Sequence, residues 1–151
     1  MRVVIQRVTA ARVEVAGEIV GAIERGLVVF AGMQGGDTDE DLELVARKVA
    51  ELRVFEDDRG KMAKSLADVG GKLLVVSQFT LFGDISRGNR PGFSAAMAPD
   101  EARAACDRFV EMLRGRGVTV ETGRFGADMR VLVDNDGPVT ILFDSATGRA
   151  G

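Results

Sequence analysis

Residues 72–82, KLLVVSQFTLF, form the strongest strand prediction in the chain. The continuous apolar run at residues 73–76 is typical of a strand that is buried on both faces. Alternation along the strand would place its even-numbered residues on one face and its odd-numbered residues on the other. Ser77, Gln78 and Thr80 therefore introduce polar side chains at the carboxyl end of a strand that is otherwise suited to burial.

These polar side chains have two explanations. A buried polar group without a hydrogen-bond partner costs about 1–3 kcal/mol, so each must be satisfied. Ser77, Gln78 and Thr80 either bond to neighbouring backbone, with Thr80 favoured by its β propensity, or face a ligand cavity.

Working outward toward the amino terminus, we predict strands over residues 2–8, 11–15, 18–23 and 26–33, with a hairpin turn at Gly17. A helix should follow the turn at 34–39, because four apolar residues recur at spacings of three and four: Leu42, Val45, Val49 and Leu52. Val54 and Phe55 suggest a short strand, and residues 57–60 a turn.

Toward the carboxyl terminus, residues 83–98 form a long loop of the kind that is often functional. Pro99 suits the first turn of a second helix, whose apolar face would make Cys106 a small core residue and not a nucleophile. Strands are predicted at 117–122, 128–134 and 138–143.

About eight strands and two helices, without regular alternation, favour an α+β fold of packed β-sheets with the helices on one side. One domain over residues 1–145 and a short, fraying tail over 146–151 are expected.

Composition narrows the chemistry. The chain has no histidine and one cysteine, which removes the commonest general base and any multi-thiolate metal site. We therefore expect no metal and no cofactor. The net charge of −3 argues against a protein that grips duplex nucleic acid but allows contact with the end of an RNA. No signal peptide or membrane span is evident, so a cytoplasmic location is expected.

Residues 135–138, NDGP, are ordinary turn residues between two strands. Gly137–Pro138 would be a candidate cis peptide, although only about 5–6% of X-Pro bonds adopt that form.

The segments SQFTL at 77–81 and NDGPVT at 135–140 together resemble the paired signature of the D-aminoacyl-tRNA deacylases, formerly called D-tyrosyl-tRNA deacylases. Further segments that look like the family extend the resemblance over nearly the whole chain: IQRVT at 5–9, GKM at 60–62, GNRP at 88–91 and TGRFGADM at 122–129.

The resemblance implies a homodimer with a partly barrel-like, two-sheet α+β fold and an active site at the subunit interface. It implies hydrolysis of the ester that joins a D-amino acid to the 3′ end of a tRNA, which is chirality proofreading in translation. Gly137 and Pro138 of one subunit would be cis and inserted into the other subunit's pocket, where their carbonyls exclude an L-side chain. Glycyl-tRNA, such as tRNA-Ala mischarged with glycine, would be a second substrate.

Roles for individual residues follow from the same resemblance. The backbone N–H groups of Phe79 and Thr80 would donate to the oxyanion. Gln78 would hold the reacting end of the substrate, and Ser77 would support the geometry of the strand. The Thr80 hydroxyl is either a nucleophile or a positioning group beside the RNA's own 2′-hydroxyl; with no histidine to deprotonate it, the second role is favoured.

Three more residues have open roles. Phe125 and Met129 would be pocket walls or simple core residues, and Arg7 would tether the Gly-Pro loop or lie on the surface. The family usually has serine where this chain has Gly92, which would loosen the long loop. The remaining alternatives are a relative that removes L-amino acids, marked by a trans Gly137–Pro138 bond, and a non-catalytic binder of RNA ends.

Overall fold

The structure is a computed structural model that describes residues 1–150, with side chains as far as 148. Gly151, at the end of the predicted tail, lies outside the described residues. The described elements are strands β1 (Arg2–Val15), β2 (Glu18–Ile23), β3 (Gly26–Gly32), β4 (Phe55–Glu56), β5 (Met62–Lys64), β6 (Lys72–Ser77), β7 (Val120–Thr122), β8 (Arg130–Asp144) and β9 (Arg149–Ala150), helices α1 (Asp39–Glu51), α2 (Leu66–Val69) and α3 (Pro99–Gly115), and a 3₁₀ helix (Phe79–Phe82).

Seven strands form one curled sheet in the order β7-β6-β3-β1-β8-β9, with β2 paired to β1. The long strand β1 pairs with β3 through its first half and with β2 through its second half. Contacts of β2 with β6 and β7 nearly close the sheet into a barrel. Strands β4 and β5 form a small second sheet. The predicted α+β, partly barrel-like fold is confirmed.

Strand β6 is buried on both faces, as its apolar run predicts. Leu73 and Val75 pack in a core shared with α1 and α3, whereas Leu74 and Val76 pack inside the barrel. Full burial of a Leu or Val side chain contributes about 1.5–3 kcal/mol, so this strand joins the two halves of the core.

Two pairs of predicted strands are single strands in the structure. Residues 2–8 and 11–15 merge into β1, because the chain stays extended through Thr9 and continues to pair with β8. Residues 128–134 and 138–143 merge into β8, because both flanks of the predicted turn pair with the same strand, β1. The turn prediction for 135–138 was wrong: the segment is a bulge.

The prediction of a strand over 72–82 was wrong beyond Ser77. Strand β3 ends its pairing with β6 at Ala31 and Ser77, and β7 pairs only as far as Val75, so no neighbour continues the ladder. The Gln78 N–H still donates to the Ala31 carbonyl at 2.8 Å, and the chain then turns into the 3₁₀ helix.

Helices α1 and α3 begin where predicted. Thr38 and Asp41 form a capping box at the start of α1, and Pro99 occupies the first turn of α3. The short elements β5 and α2 were missed, although Ser65 and Asp68 form a capping box there too. None of the helices in the described chain is long and apolar enough to span a membrane.

Closure of the barrel predicts the effect of a methyl group at Gly21. A Cβ there would lie 2.3 Å from the backbone oxygen of Thr122, so Gly21→Ala must push β2 away from β7. Overpacking of this kind costs about 1–3 kcal/mol, measured as the free energy of unfolding in urea. Gly115→Ala is the control, because a Cβ at Gly115 meets nothing within 4 Å. Equal stability of the two variants would contradict the close approach.

Candidate functional site

A cavity of about 570 Å³ opens at the carboxyl ends of the parallel strands β3 and β6. Its walls come from the ends of those strands, the long loop, the start of α3 and the connection into β8: Ala31, Met33, Val76, Ser77, Gln78, Phe79, Phe93, Ala96, Met97, Ala98, Pro99, Ala102, Phe125, Gly126, Ala127, Met129 and Val131. A second cleft of about 650 Å³ lies beside α2 and contains none of the predicted site residues. The first cavity is therefore the candidate site.

The SQFTL segment supplies one wall of this cavity. Ser77, Gln78 and Phe79 line it, and Thr80 follows directly. The Gln78 amide nitrogen donates to the Thr80 hydroxyl, so these two polar side chains bond to each other and not to neighbouring backbone. Phe79 is 55% exposed and touches Phe93 of the long loop edge-on, with ring centroids 5.1 Å apart.

Two backbone donors are free beside this wall. The hydrogen bonds of the 3₁₀ helix begin at Leu81, whose N–H donates to the Gln78 carbonyl at 3.2 Å. Among the described residues, the N–H groups of Phe79 and Thr80 have no acceptor. Unpaired N–H groups at the start of a helical turn are available to an anionic oxygen.

The 3₁₀ helix is held from outside the cavity by Arg2. Its guanidinium donates to the Leu81 carbonyl at 2.9 Å and to Asp144 at 3.0 Å, and it stacks on the Phe82 ring at 4.6 Å. This places the carboxyl end of β8 beside the 3₁₀ helix.

The NDGPVT segment is a bulge of β8. Gln6 pairs with Thr140 and Val8 with Asn135, so residues 136–139 stand opposite the single residue Arg7. The Gly137–Pro138 bond in this bulge is cis. Gly137 has φ +129°, and a Cβ on it would lie 2.9 Å from a Val139 methyl carbon. Glycine is therefore the residue that this backbone accepts.

Arg7 ties the bulge to the rest of the fold. Its side chain is buried and donates to the Val54 carbonyl at 2.7 Å and to the Asp136 carbonyl at 3.2 Å. The Asp136 carboxylate lies 3.4 Å from the same guanidinium. Arg7 is thus a tether and not an ordinary surface arginine.

Asn135 braces the bulge from within. Its side-chain oxygen accepts from the Val139 N–H at 3.2 Å, and its amide nitrogen donates to the Thr140 hydroxyl at the same distance. The sequence placed Asn135 in the predicted turn and in the NDGPVT segment but predicted no role for its side chain.

The structure brings some predicted site residues together and separates others. Phe125 and Met129 line the same cavity as Ser77, Gln78 and Phe79. Gly137 and Pro138 are exposed and do not line the cavity of their own chain. The contribution of Phe93 and Met97 from the long loop was missed, although the length of that loop was a signal of function.

The long loop is closed by backbone bonds that need no side chain at Gly92. The Gly92 N–H donates to the Asp84 carbonyl at 2.9 Å, and the Asp84 N–H donates to the Gly92 carbonyl at 2.8 Å. The Ser86 hydroxyl and N–H bond to the Asp84 carboxylate and lower its pKa, so this carboxylate stays charged at neutral pH.

The single cysteine does not line the candidate cavity. Cys106 packs against the core of α3, and burial, aided by the charge of Asp107, raises the pKa of its thiol to about 11. A thiol with a raised pKa is a poor nucleophile at neutral pH. The prediction of a small core residue agrees with this environment.

Comparisons with known proteins point in one direction. Residues 4–144 match the family model described as D-Tyr-tRNA(Tyr) deacylase. The chain is 64% identical over 146 residues to a D-aminoacyl-tRNA deacylase of Sorangium cellulosum, covering 96% of this chain and 97% of that protein. It is 56% identical to the protein of that name from Thermotoga petrophila, covering 97% and 98% of the two chains.

Two solved structures are similar to the whole chain. One, titled c-Myc DNA Unwinding Element Binding Protein, has a TM-score of 0.90 and 45% identity and covers 95% of this chain and 98% of its own. The other, titled as a probable eukaryotic D-amino acid tRNA deacylase, has a TM-score of 0.81 and 22% identity, covers 94% and 97% of the two chains, and supports the fold alone.

The environment of Cys106 predicts slow alkylation. A rise of the thiol pKa from 9.0 to about 11 lowers the thiolate fraction at pH 8 roughly a hundredfold, and the partial burial of the side chain slows the reaction further. Iodoacetamide labelling followed by mass spectrometry should modify Cys106 in urea and spare it in the native protein. Ser94→Cys, on the exposed loop, is the control that labels without urea. Rapid native labelling of Cys106 would contradict its assigned burial.

Proposed function

The chain belongs to the D-Tyr-tRNA(Tyr) deacylase family and is a hydrolase of D-aminoacyl-tRNA, and we propose that it excludes L-amino acids with the Gly137–Pro138 bulge of a partner subunit. The reaction adds water across the ester between the amino acid and the terminal ribose. The products are the free D-amino acid and the free tRNA, which serves translation quality control.

The free N–H groups of Phe79 and Thr80 are the observation that carries the catalytic proposal. Water attacks the ester carbonyl, and the negative charge that develops on its oxygen is stabilised by these two donors. The loss of one such donor typically slows an enzyme by a factor of about 10²–10³. Backbone donors suit a chain that has no histidine to act as a general base.

The neighbouring side chains position the substrate. Gln78 lines the cavity and binds the reacting end of the aminoacyl group, while Ser77 supports the end of β6. Thr80 is a positioning residue in this proposal. Its hydroxyl already accepts from Gln78, and the 2′-hydroxyl of the terminal ribose orients the attacking water.

The bulge at residues 136–139 is assigned the discrimination between D- and L-amino acids. Asp136, Gly137 and Pro138 of the bulge are exposed, and the bulge is tethered by Arg7 and lies outside its own cavity, which supports its use in the cavity of a second copy. Carbonyls of Gly137 and Pro138 would occupy the space that an L-side chain needs, because discrimination often depends on a built-in clash. Phe125 and Met129 form a wall of the cavity that receives this bulge.

Glycine has no side chain to exclude, so glycyl-tRNA, including tRNA-Ala mischarged with glycine, is a second substrate.

Homodimerisation is supported by apolar surface near the bulge. Phe79 is 55% exposed and Leu142 is 44% exposed. Arg2 places the end of β8, which carries Leu142, beside the 3₁₀ helix that carries Phe79. A shared apolar surface of this kind suits an isologous interface between two copies.

The proposed partners are the aminoacylated 3′ end of tRNA and a second subunit, in the cytoplasm where charged tRNA is used. We propose neither a DNA nor a membrane partner. A net charge of −3 gives little attraction to the phosphates of a duplex.

A deacylation assay with matched D- and L-aminoacyl-tRNA tests the function. We expect rapid release of the D-amino acid and of glycine, and release of the L-amino acid at the uncatalysed rate. Cleavage of the L-form would contradict exclusion by the bulge and support the L-specific alternative. Cleavage of none of the three would contradict the enzyme and support a binder of RNA ends.

Leu142→Glu tests the interface. A charge on this exposed position should leave the subunit folded but separate the dimer, and activity should fall because each cavity loses the partner's bulge. Sedimentation velocity measures the mass of the particle. Ile19→Glu, on β2 and 61% exposed, is the control that should stay dimeric and active. A monomeric wild-type protein with full activity would contradict the shared site.

A further inference from the structure

Arg103 of α3 stands at the rim of the cavity. Its guanidinium carbon lies 4.7 Å from the centroid of the Phe125 ring. One of its terminal nitrogens lies 3.7 Å from the point where a Cβ on Gly126 would be. Phe125 and Gly126 both line the cavity, so the positive charge is held against its wall.

The charge of Arg103 is not neutralised by the protein. Within the described part of the chain, no carboxylate lies within 4.0 Å of its guanidinium. Arginines further along the same helix and at its end do have such partners. Arg108 pairs with Asp39 at 2.9 Å, and Arg114 pairs with Glu111 at 2.9 Å. Arg103 is exposed and remains available to an external anion.

The contact with Phe125 orients this available cation. An arginine stacked on an aromatic face gains about 0.5–1 kcal/mol at an exposed site, and its in-plane N–H groups stay free to donate. The ring therefore favours a position of the guanidinium at the cavity rim, where its donors remain available. Lysine does not offer the same planar set of donors.

The substrate brings an anion to this rim. In an aminoacyl-tRNA, the nucleotide that carries the amino acid is joined to the preceding nucleotide by a phosphodiester. When the ester lies at the free N–H groups of Phe79 and Thr80, that phosphodiester must leave through the mouth of the cavity. With a net charge of −3, the chain needs a local cation to receive it.

We propose that Arg103 is a substrate-binding residue that donates to the phosphodiester between the last two nucleotides of the tRNA. Arg124, which precedes Phe125 and is also exposed without a carboxylate partner among the described residues, adds positive charge to the same rim. The inference rests on the deacylase function and extends it to the nucleic-acid part of the substrate.

The test compares a substrate with and without the phosphodiester. Arg103→Ala should raise KM for D-aminoacyl-tRNA roughly tenfold, the loss expected for a hydrogen-bonded charge pair, with little change in kcat. The slope of log KM against log salt concentration should fall by roughly 0.7, the contribution of one contact to a single strand. With 3′-O-D-aminoacyl-adenosine, which has no phosphate, wild type and variant should react equally.

Two further variants complete the design. Arg108→Ala removes a cation from the same helix that is already paired with Asp39, so its KM and salt dependence should match the wild type. Arg103→Lys should retain the salt dependence and recover part of the affinity.

Three results would overturn the proposal. An unchanged KM and salt slope in Arg103→Ala would show that no phosphate is bound there. An equal loss on the phosphate-free substrate would show that Arg103 acts only by shaping the wall through Phe125. A wild-type protein that cleaves neither substrate would refute the deacylase function itself, and the inference with it.

Discussion

The parallel pairing of β3 with β6 is the constraint on which the site depends. The pairing ends at Ala31 and Ser77, and the last bond, from the Gln78 N–H to the Ala31 carbonyl, fixes where the chain must leave the sheet. Burial of both faces of β6 holds that point in place, so the Phe79 and Thr80 N–H groups emerge at one edge of a rigid scaffold. Donors that are held before the substrate arrives need no reorganisation when charge develops, which is the physical basis of their catalytic value.

The bulge of β8 depends on the same sheet from the other side. Both flanks of residues 136–139 are paired to β1, so Asp136, Gly137 and Pro138 protrude, and Arg7 anchors the bulge through the carbonyls of Val54 and Asp136. The rigid donors and the protruding bulge thus belong to one connected framework, although they do not meet within one chain. A dimer would bring them together, because two copies related by a two-fold axis exchange equivalent surfaces.

The sequence predicted the elements that local pattern decides. The burial of β6, the start of α1 and α3 and the hairpin at Gly17 follow from periodicity and capping residues, and all are present. The predictions were wrong where strand pairing determines the structure. Strand β6 ends at Ser77 because β3 offers no further partner, and the predicted turn at 135–138 is a bulge because both of its flanks pair with β1. Site residues came from the family resemblance and not from periodicity. The role of Arg103 depends on its contact with Phe125, on a different segment of the fold, which no local pattern encodes. The bond between Asn135 and Val139 is local, but the expectation of a turn at 135–138 concealed it.

In the proposed mechanism backbone donors, and not a side-chain nucleophile, carry the catalysis. The most direct measurement replaces the peptide N–H of residue 80 with an ester oxygen. Alanine and its hydroxy-acid analogue, lactic acid, placed at position 80 differ only in that donor. We expect that Thr80→Ala keeps most of the activity and that the lactic-acid protein loses a factor of about 10²–10³ in kcat. Equal rates for the two proteins, or an acyl-enzyme trapped on the Thr80 hydroxyl of the wild type, would contradict it.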